Sequence, residues 1–298
     1  MRMPDQKIIL SADTPCDIGD ELKARYHVSL HPLHIILDDK QYTDGVDITS
    51  AQLYDAWWKH KLLPRTAAIN PEEYESYFSN YLDQGYDIIH VSLGSGLSSS
   101  HANATIAAET LKDKGNVYVI DSCSLSTGFG LLVCEAGERI KAGIPTKQIV
   151  EEVSALTQDT RASFILDTLE FMRAGGRCSS ITQIGAAMLN LKPTIIVKND
   201  RQGSMIVGKK YMGKLAPSLM KYVDDQIKDR TDLVLDRVFV THSGMDDPAI
   251  IDKVVARIKE LQPFKEIFVT QASCTISCHC GPNTLGVLFL TKPGSISN

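Results

Sequence analysis

The sequence of 298 residues contains no apolar run close to the roughly 20 residues that span a bilayer; its richest stretch, Gly185 to Val197, is broken by Asn190 and Lys192. Stable membrane insertion is not expected. The first residues run directly into a β-like segment, Ile8 to Ala12, without the long apolar stretch and small-residue cleavage site of a secretory leader. The expectation is a cytoplasmic protein. Excess positive charge is also missing, since 31 Lys and Arg face 36 Asp and Glu for a net charge of −5. That is the wrong sign for a protein that lives on nucleic-acid phosphates or anionic lipid. The seven cysteines, at 16, 123, 134, 178, 274, 278 and 280, are odd in number and form no disulfide framework. They read as reduced thiols.

Apolar residues make up 43 % and charged residues 22 %, a composition that buries real cores. The length suits two domains of about 150 residues each. β-branched runs at 8–12, 87–91, 117–120, 163–166, 194–197, 237–240 and 266–270 alternate with helical stretches, which argues for α/β layers. Start signals place helices over 50–60 after Thr49, over 72–84 after Asn70 and Pro71, and over 147–156 after Thr146. Residues 31–37 and 41–43, joined by Asp38-Asp39-Lys40, predict a hairpin that adds to the first sheet. The second half, 161–298, starts near the β-like run at Ser163 and reads as α/β with a more mixed sheet, including a helix over 216–227.

Chemistry concentrates in loops after strands. Val91 to His101 carries five serines and two glycines between a strand and a helix, an arrangement whose free N–H groups and hydroxyls suit a carboxylate or phosphate. It equally suits plain helix capping and turn formation. Asp121 to Gly128 follows another strand, and two such loops from one parallel sheet meet at its carboxyl edge. A third strand end brings Asp13 and Asp17; Asp17 reads as a helix N-cap, and Asp13 is placed to orient hydroxyls.

Several familiar sites are absent. Gly94 and Gly96 lack the third glycine of a dinucleotide loop, no Gly-Lys-Ser/Thr follows, and no Gly-x-Ser-x-Gly surrounds a serine. No cofactor is expected. Cys278, His279 and Cys280 are consecutive rather than spaced as zinc pairs, and in an extended segment His279 points away from both neighbours, so no metal is expected either. His279 reads as a hydrogen-bond donor to an acid or as a buried, satisfied histidine. Gly175-Gly176-Arg177 and Lys209-Lys210 read as a helix C-cap and a solvated charge, or as cations for a phosphate-bearing partner.

Taken in order, seven segments resemble the DegV family of bacterial fatty-acid-binding proteins, the acyl-carrying subunit of fatty acid kinase. They are Ser11 to Asp17, Arg65-Thr66 through Asn70-Pro71, Leu93 to His101, Asp121-Ser122, Gly175-Gly176-Arg177, Leu189 to Pro193, and Cys278 to Pro282. The sequence departs from the family pattern at Ala67, Ile69 and Asn283, and has Lys210 and Tyr211 where an arginine is usual.

The resemblance implies two α/β domains, 1–160 with a mostly parallel sheet and helices on both faces, and 161–298 with a mixed sheet, together enclosing a long-chain fatty acid. By position, Thr66, Ser95 and His279 would hold the carboxylate, supported by Asp13, Ser92, Gly94, Asp121 and Ser122. Arg177 and Lys210 would face the partner, a fatty acid kinase catalytic subunit that phosphorylates the acid in trans, so this chain would not itself be an enzyme. Phe164, Phe171, Met172, Met188 and Ile195 read either as residues that close the far end of the tunnel or as plain core. The competing reading is a hydrolase or acyl transferase using Ser95 or Cys278 with His279 and Asp121 on a small carboxylic ester.

Overall fold

The computed structural model describes residues 7–183 and 191–295. The chain starts with β1 (Ile8–Asp13), α1 (Gly19–Tyr26) and β2 (Ser29–His31), then β3 (His34–Leu37), β4 (Lys40–Thr43), α2 (Ser50–His60) and β5 (Arg65–Ala67). It continues through α3 (Pro71–Leu82), β6 (Asp87–Ser92), α4 (Ser100–Thr110), β7 (Val117–Asp121), α5 (Thr127–Lys141) and α6 (Thr146–Ala155). The helix starts follow from capping: Thr49 and Asn70 each form a capping box with the Gln or Glu three residues on. Thr146 is instead the first helical residue, with Pro145 before it.

Strands β2-β1-β6-β7 form one sheet, parallel throughout. Helices α3 and α4 cover one face, where Tyr74 and Phe78 set ring edges against His90; α5 and α6 cover the other. Parallel sheets need both faces dry, which is why Leu10, Ile88, Ile89 and Val91 are fully buried. The predicted hairpin is real but does not join this sheet. β3 pairs with β4 and β5 in a separate three-stranded antiparallel sheet. The turn lets β3 run away from β2, and β5 supplies the partner that local pattern could not reveal.

The second half runs through β8 (Thr160–Arg161), β9 (Ser163–Ile165), α7 (Glu170–Gly175), β10 (Leu191–Lys198), β11 (Ser204–Met212), α8 (Leu215–Ile227) and β12 (Leu233–His242). It ends with α9 (Ala249–Leu261), β13 (Glu266–Gln271), α10 (Cys274–Cys280) and β14 (Leu285–Thr291). The sheet is mixed, in the order β11-β10-β9-β14-β12-β13 with β8 also on β14; only β12 and β13 are parallel. β14, missed in the sequence, sits at its centre with every residue buried. Its continuous apolar run, Leu285 to Leu290, carries no period that separates a buried strand from a buried helix.

A single hydrophobic cluster joins the halves, running from Leu10 and Leu93 to Phe164, Phe239 and Leu288. Two buried carboxylates reinforce it at the start of α10. Asp44 accepts the N–H groups of Cys274 (2.8 Å) and Thr275 (3.2 Å) and the Thr275 hydroxyl (2.6 Å). Asp17 accepts the Ser273 N–H at 2.9 Å and the Ser126 hydroxyl at 2.6 Å. Asp17 is therefore not the N-cap of α1, which follows Ile18; it holds a left-handed turn, φ 52°, and reaches across to the other half.

Burial pushes the Asp17 carboxyl from its usual value near 4 up to about 7, against the pull of Ser126 and Ser273, with the charge of Asp44 adding to the rise. A carboxyl whose folded pKa is raised binds its proton more tightly when folded, so its contribution is full below pH 4 and is lost as pH climbs to 7. Replacing it with the uncharged isostere removes that loss. Asp17→Asn is expected to gain stability relative to the native chain between pH 4 and 7, by up to about 4 kcal/mol, as measured by urea unfolding across that range.

Candidate functional site

Between the two main sheets lies a largely apolar cavity. Leu33, Leu93, Leu97, Leu125, Phe164, Met172 and Met205 supply its hydrocarbon walls. Polar groups enter at one region: Thr66 from β5, Ser98 and Ser99 before α4, and His279 from α10, with the exposed Arg177 beside them.

His279 and Thr66 meet here across 213 residues of chain, Nε2 to Oγ1 at 2.9 Å. The segment around His279 is not extended, as the sequence suggested, but helical from Cys274 to Cys280. On a helix the consecutive side chains splay around the axis. Cys274 and Cys278, four apart, bury against Ile35, Ile48 and Leu53, leaving His279 to face the cavity. Among the described residues, no three His, Cys, Asp or Glu side chains are grouped to hold a metal ion.

Burial, with the nearby Arg177 charge adding, lowers the His279 pKa to about 4. The imidazole is therefore neutral at pH 7 and carries one N–H and one free lone pair. Its Nδ1 is buried without a partner. Gly175, the last residue of α7, packs against that ring, and a Cβ there would lie 2.2 Å from Nδ1.

The Ser-rich loop is held by carboxylates from the strands on either side of β6. Asp13 accepts the Leu93 N–H at 2.9 Å, and Asp121 accepts the Ser95 N–H at 3.0 Å. Asp13 is itself set by the Tyr74 hydroxyl (2.6 Å) and by His90, whose Nε2 lies 3.2 Å away. Gly94 donates to the Ser124 carbonyl and Gly96 to that of Gln202, both at 2.9 Å, which docks the β10–β11 hairpin tip on the loop. Ser92 pairs with His101 and the Ile120 carbonyl, and Ser122 bonds within its own turn. These residues form a scaffold beneath the loop.

Of the sequence-derived carboxylate ligands, Thr66 and His279 share the cavity wall. Ser95 lies in the adjoining loop, its Oγ buried without a partner; the serines on the wall are Ser98 and Ser99. Their signal was the same Ser-rich run, but which serines face inward depends on where α4 begins. Lys210 is exposed on β11, opposite Pro193 and outside the cavity wall. Of the tunnel candidates, Phe164 and Met172 line the cavity, Phe171 packs on Tyr54 and Trp57, Ile195 is buried in the common core, and Met188 falls outside the described residues.

A serine or cysteine nucleophile finds no support in this geometry. Ser95 Oγ has no imidazole partner, Asp121 is engaged by backbone N–H groups, and burial pushes the Cys278 thiol well above its usual value.

The close approach at Gly94 yields a test. A Cβ there would lie 2.8 and 2.9 Å from the backbone N and O of Ser124 and 3.0 Å from the Gln202 carbonyl. Gly94→Ala is expected to destabilise the protein by about 1–3 kcal/mol, while Gly85→Ala, with open space around it but a positive φ of 77°, costs only backbone strain of about 1 kcal/mol; chemical denaturation compares the two.

Known proteins with this architecture supply independent context. A family model described as an uncharacterised protein, DegV family, matches residues 7–292. A DegV domain-containing protein of Caldanaerobacter subterraneus is 28 % identical over 96 % of this chain and 100 % of its own length. One from Deinococcus radiodurans is 26 % identical over 94 % and 97 %. Among solved structures, a Thermus thermophilus DegV family protein described by its fatty acid binding superposes with a TM-score of 0.82 at 25 % identity, covering 96 % of this chain and all of that one. A stearic acid-binding protein from Eubacterium ventriosum shares the fold, with a TM-score of 0.78 at 24 % identity over 95 % and 98 % of the two chains. With the family model spanning nearly the whole sequence, the chain belongs to the DegV family.

Proposed function

We propose that this protein is a carrier of long-chain fatty acid, tail enclosed in the apolar cavity and carboxylate held by Thr66, His279 and the Ser95–Ser99 loop. The observation that carries this reading is the Thr66–His279 pair at 2.9 Å, set in an apolar wall. Ser95 Oγ, in the loop beside the cavity, is buried and unpartnered, and buried polar atoms without partners are costly unless a ligand satisfies them. Solved relatives described as binding fatty acids support the same reading.

The energetics divide between the two ends of such a ligand. About 15 methylenes at roughly 0.8 kcal/mol each gain on the order of 12 kcal/mol before association costs, so the tail supplies affinity. An ionised head buried without partners would cancel much of that. Hydroxyls, N–H groups and a neutral imidazole offset its desolvation and fix its orientation. Arg177, exposed at the cavity, adds a cation beside the head.

The sequence has no phosphate-binding loop. The carrier then presents the carboxyl to a separate, ATP-dependent fatty acid kinase subunit, which forms the acyl phosphate; Arg177 and Lys210 are the cations proposed to face that partner, and Asp13, Ser92, Gly94, Asp121 and Ser122 keep the head-group loop in place. The 1–160 and 161–298 portions act as the two domains that enclose the ligand.

Thr66→Val keeps the shape and removes the hydroxyl. Loss of a hydrogen bond to a charged group, about 1.5–3 kcal/mol, predicts affinity roughly 10- to 150-fold weaker, read by displacement of a fluorescent fatty acid under conditions where the variant is folded; because buried His279 loses its partner, the ligand-free variant is also expected to be less stable, by about 1–3 kcal/mol. Solvent extraction and mass spectrometry of the purified native protein should release an acyl ligand; absence of one, together with no uptake of added palmitate or oleate, overturns the reading.

A further inference from the structure

The wall of the cavity carries almost no charge. Among the described residues its polar members Thr66, Ser98, Ser99, Thr275 and His279 are neutral at pH 7, and its one ionised group is Arg177. Arg177 stands in solvent and donates an N–H to the Gly175 carbonyl at 2.7 Å. An ion pair formed there is screened by water and holds a carboxylate only weakly.

The elements packed against α10 bring no other charge to His279. Glu170 and Arg173 of α7, Arg65 of β5, and Asp55, Lys59 and His60 of α2 are exposed, and His34 of β3 bonds Glu73. Burial keeps the thiols of Cys16, Cys274, Cys278 and Cys280 and the Tyr54 hydroxyl protonated. Asp17 and Asp44 are engaged at the start of α10. Arg177 alone adds its charge to the effect of burial on His279.

The protein holds buried carboxyls in two ways, and they differ in outcome. Asp17 and Asp44 are held by hydroxyls and N–H groups and pair with no cation among the described residues; burial raises both, Asp17 to about 7. Asp13 is equally buried, but His90 Nε2 lies 3.2 Å away, and that contact, with Tyr74 and the Leu93 N–H, outweighs burial and brings the carboxyl below its usual value. Hydroxyls and N–H groups without a cation leave a buried carboxyl inclined to take a proton. The Thr66 end of the cavity offers donors of that first kind.

We propose that a fatty acid binds at Thr66 and His279 together with one proton from solvent, which the carboxyl and the imidazole hold between them, so that the enclosed head carries no net charge. The inference rests on the fatty-acid reading above and adds the charge form in which the ligand is taken. In water an aliphatic carboxyl has a pKa of roughly 4.3, and His279 in the empty cavity sits at about 4. At pH 7 neither then holds the proton before binding. Enclosure without a counter-ion raises a carboxyl by up to about 3–5 units, which brings the pair to about 7 or above. Between the free and bound values, affinity rises up to about tenfold for each unit of pH lost.

Calorimetric titration of the native protein with dodecanoate at pH 7, in phosphate and in imidazole buffers whose heats of ionisation differ, counts the protons. About 0.5–1 proton taken up per acid is expected, with affinity at least about tenfold stronger at pH 6 than at pH 8. Dodecan-1-ol, the same tail without the acid, is expected to bind with no uptake. An equal uptake for the alcohol places the proton elsewhere in the protein and overturns the proposal. Uptake near zero with the acid overturns it as well; if Arg177→Gln then raises the uptake to about one, the guanidinium is the counter-ion. A second measurement needs no substitution: with carboxyl-13C dodecanoate on 15N-histidine protein at pH 6, nuclear magnetic resonance is expected to find either the carboxyl or the His279 ring protonated. Both deprotonated overturns the inference. Failure of the native protein to bind dodecanoate or any longer acid strikes the fatty-acid reading itself, and this proposal with it.

Discussion

Everything at the candidate site depends on how the start of α10 is caught by two buried aspartates. Asp17 and Asp44 come from the first 50 residues, yet they receive the N–H groups of Ser273, Cys274 and Thr275. A helix start presents unsatisfied N–H groups, and the oxygens of a carboxyl, ionised or protonated, can accept them. Fixing the first turn fixes the azimuth of the whole short helix. That azimuth sends the cysteines at 274 and 278 into a small apolar core and turns His279 toward Thr66.

The same device recurs under the Ser-rich loop. Asp13 and Asp121 do not reach the cavity wall; they hold the N–H groups of Leu93 and Ser95 from the strands flanking β6. Two carboxylates thus shape the loop from below, and two glycines let backbone from Ser124 and Gln202 press on it from above. Ser98, its hydroxyl bonded to Ser100, and Ser99 remain on the cavity wall. Charge sits in the scaffold, and neutral donors sit at the surface where an anion would be held. That division keeps the site free of negative charge while using negative charge to rigidify it.

By itself the sequence determined whatever depends on near neighbours along the chain. The strand–loop–helix units, the capping boxes at Thr49 and Asn70, and the gathering of Ser-rich loops at one sheet edge follow from local period and local hydrogen bonding. Thr66 was marked only by resemblance, whereas His279, 213 residues away, was also marked by its place before Gly281-Pro282 as a donor to an acid. The tertiary structure decided the rest. It separated the β3–β4 hairpin from the first sheet, because the partner β5 is distant in sequence. It placed β14 at the centre of the second sheet, because a uniformly apolar run has no face to read. It made the Cys-His-Cys segment a helix, because the carboxylates that start it lie more than 220 residues away. Long-range pairing and the satisfaction of buried polar groups leave no period in the sequence, and they alone settle which side chains face the cavity.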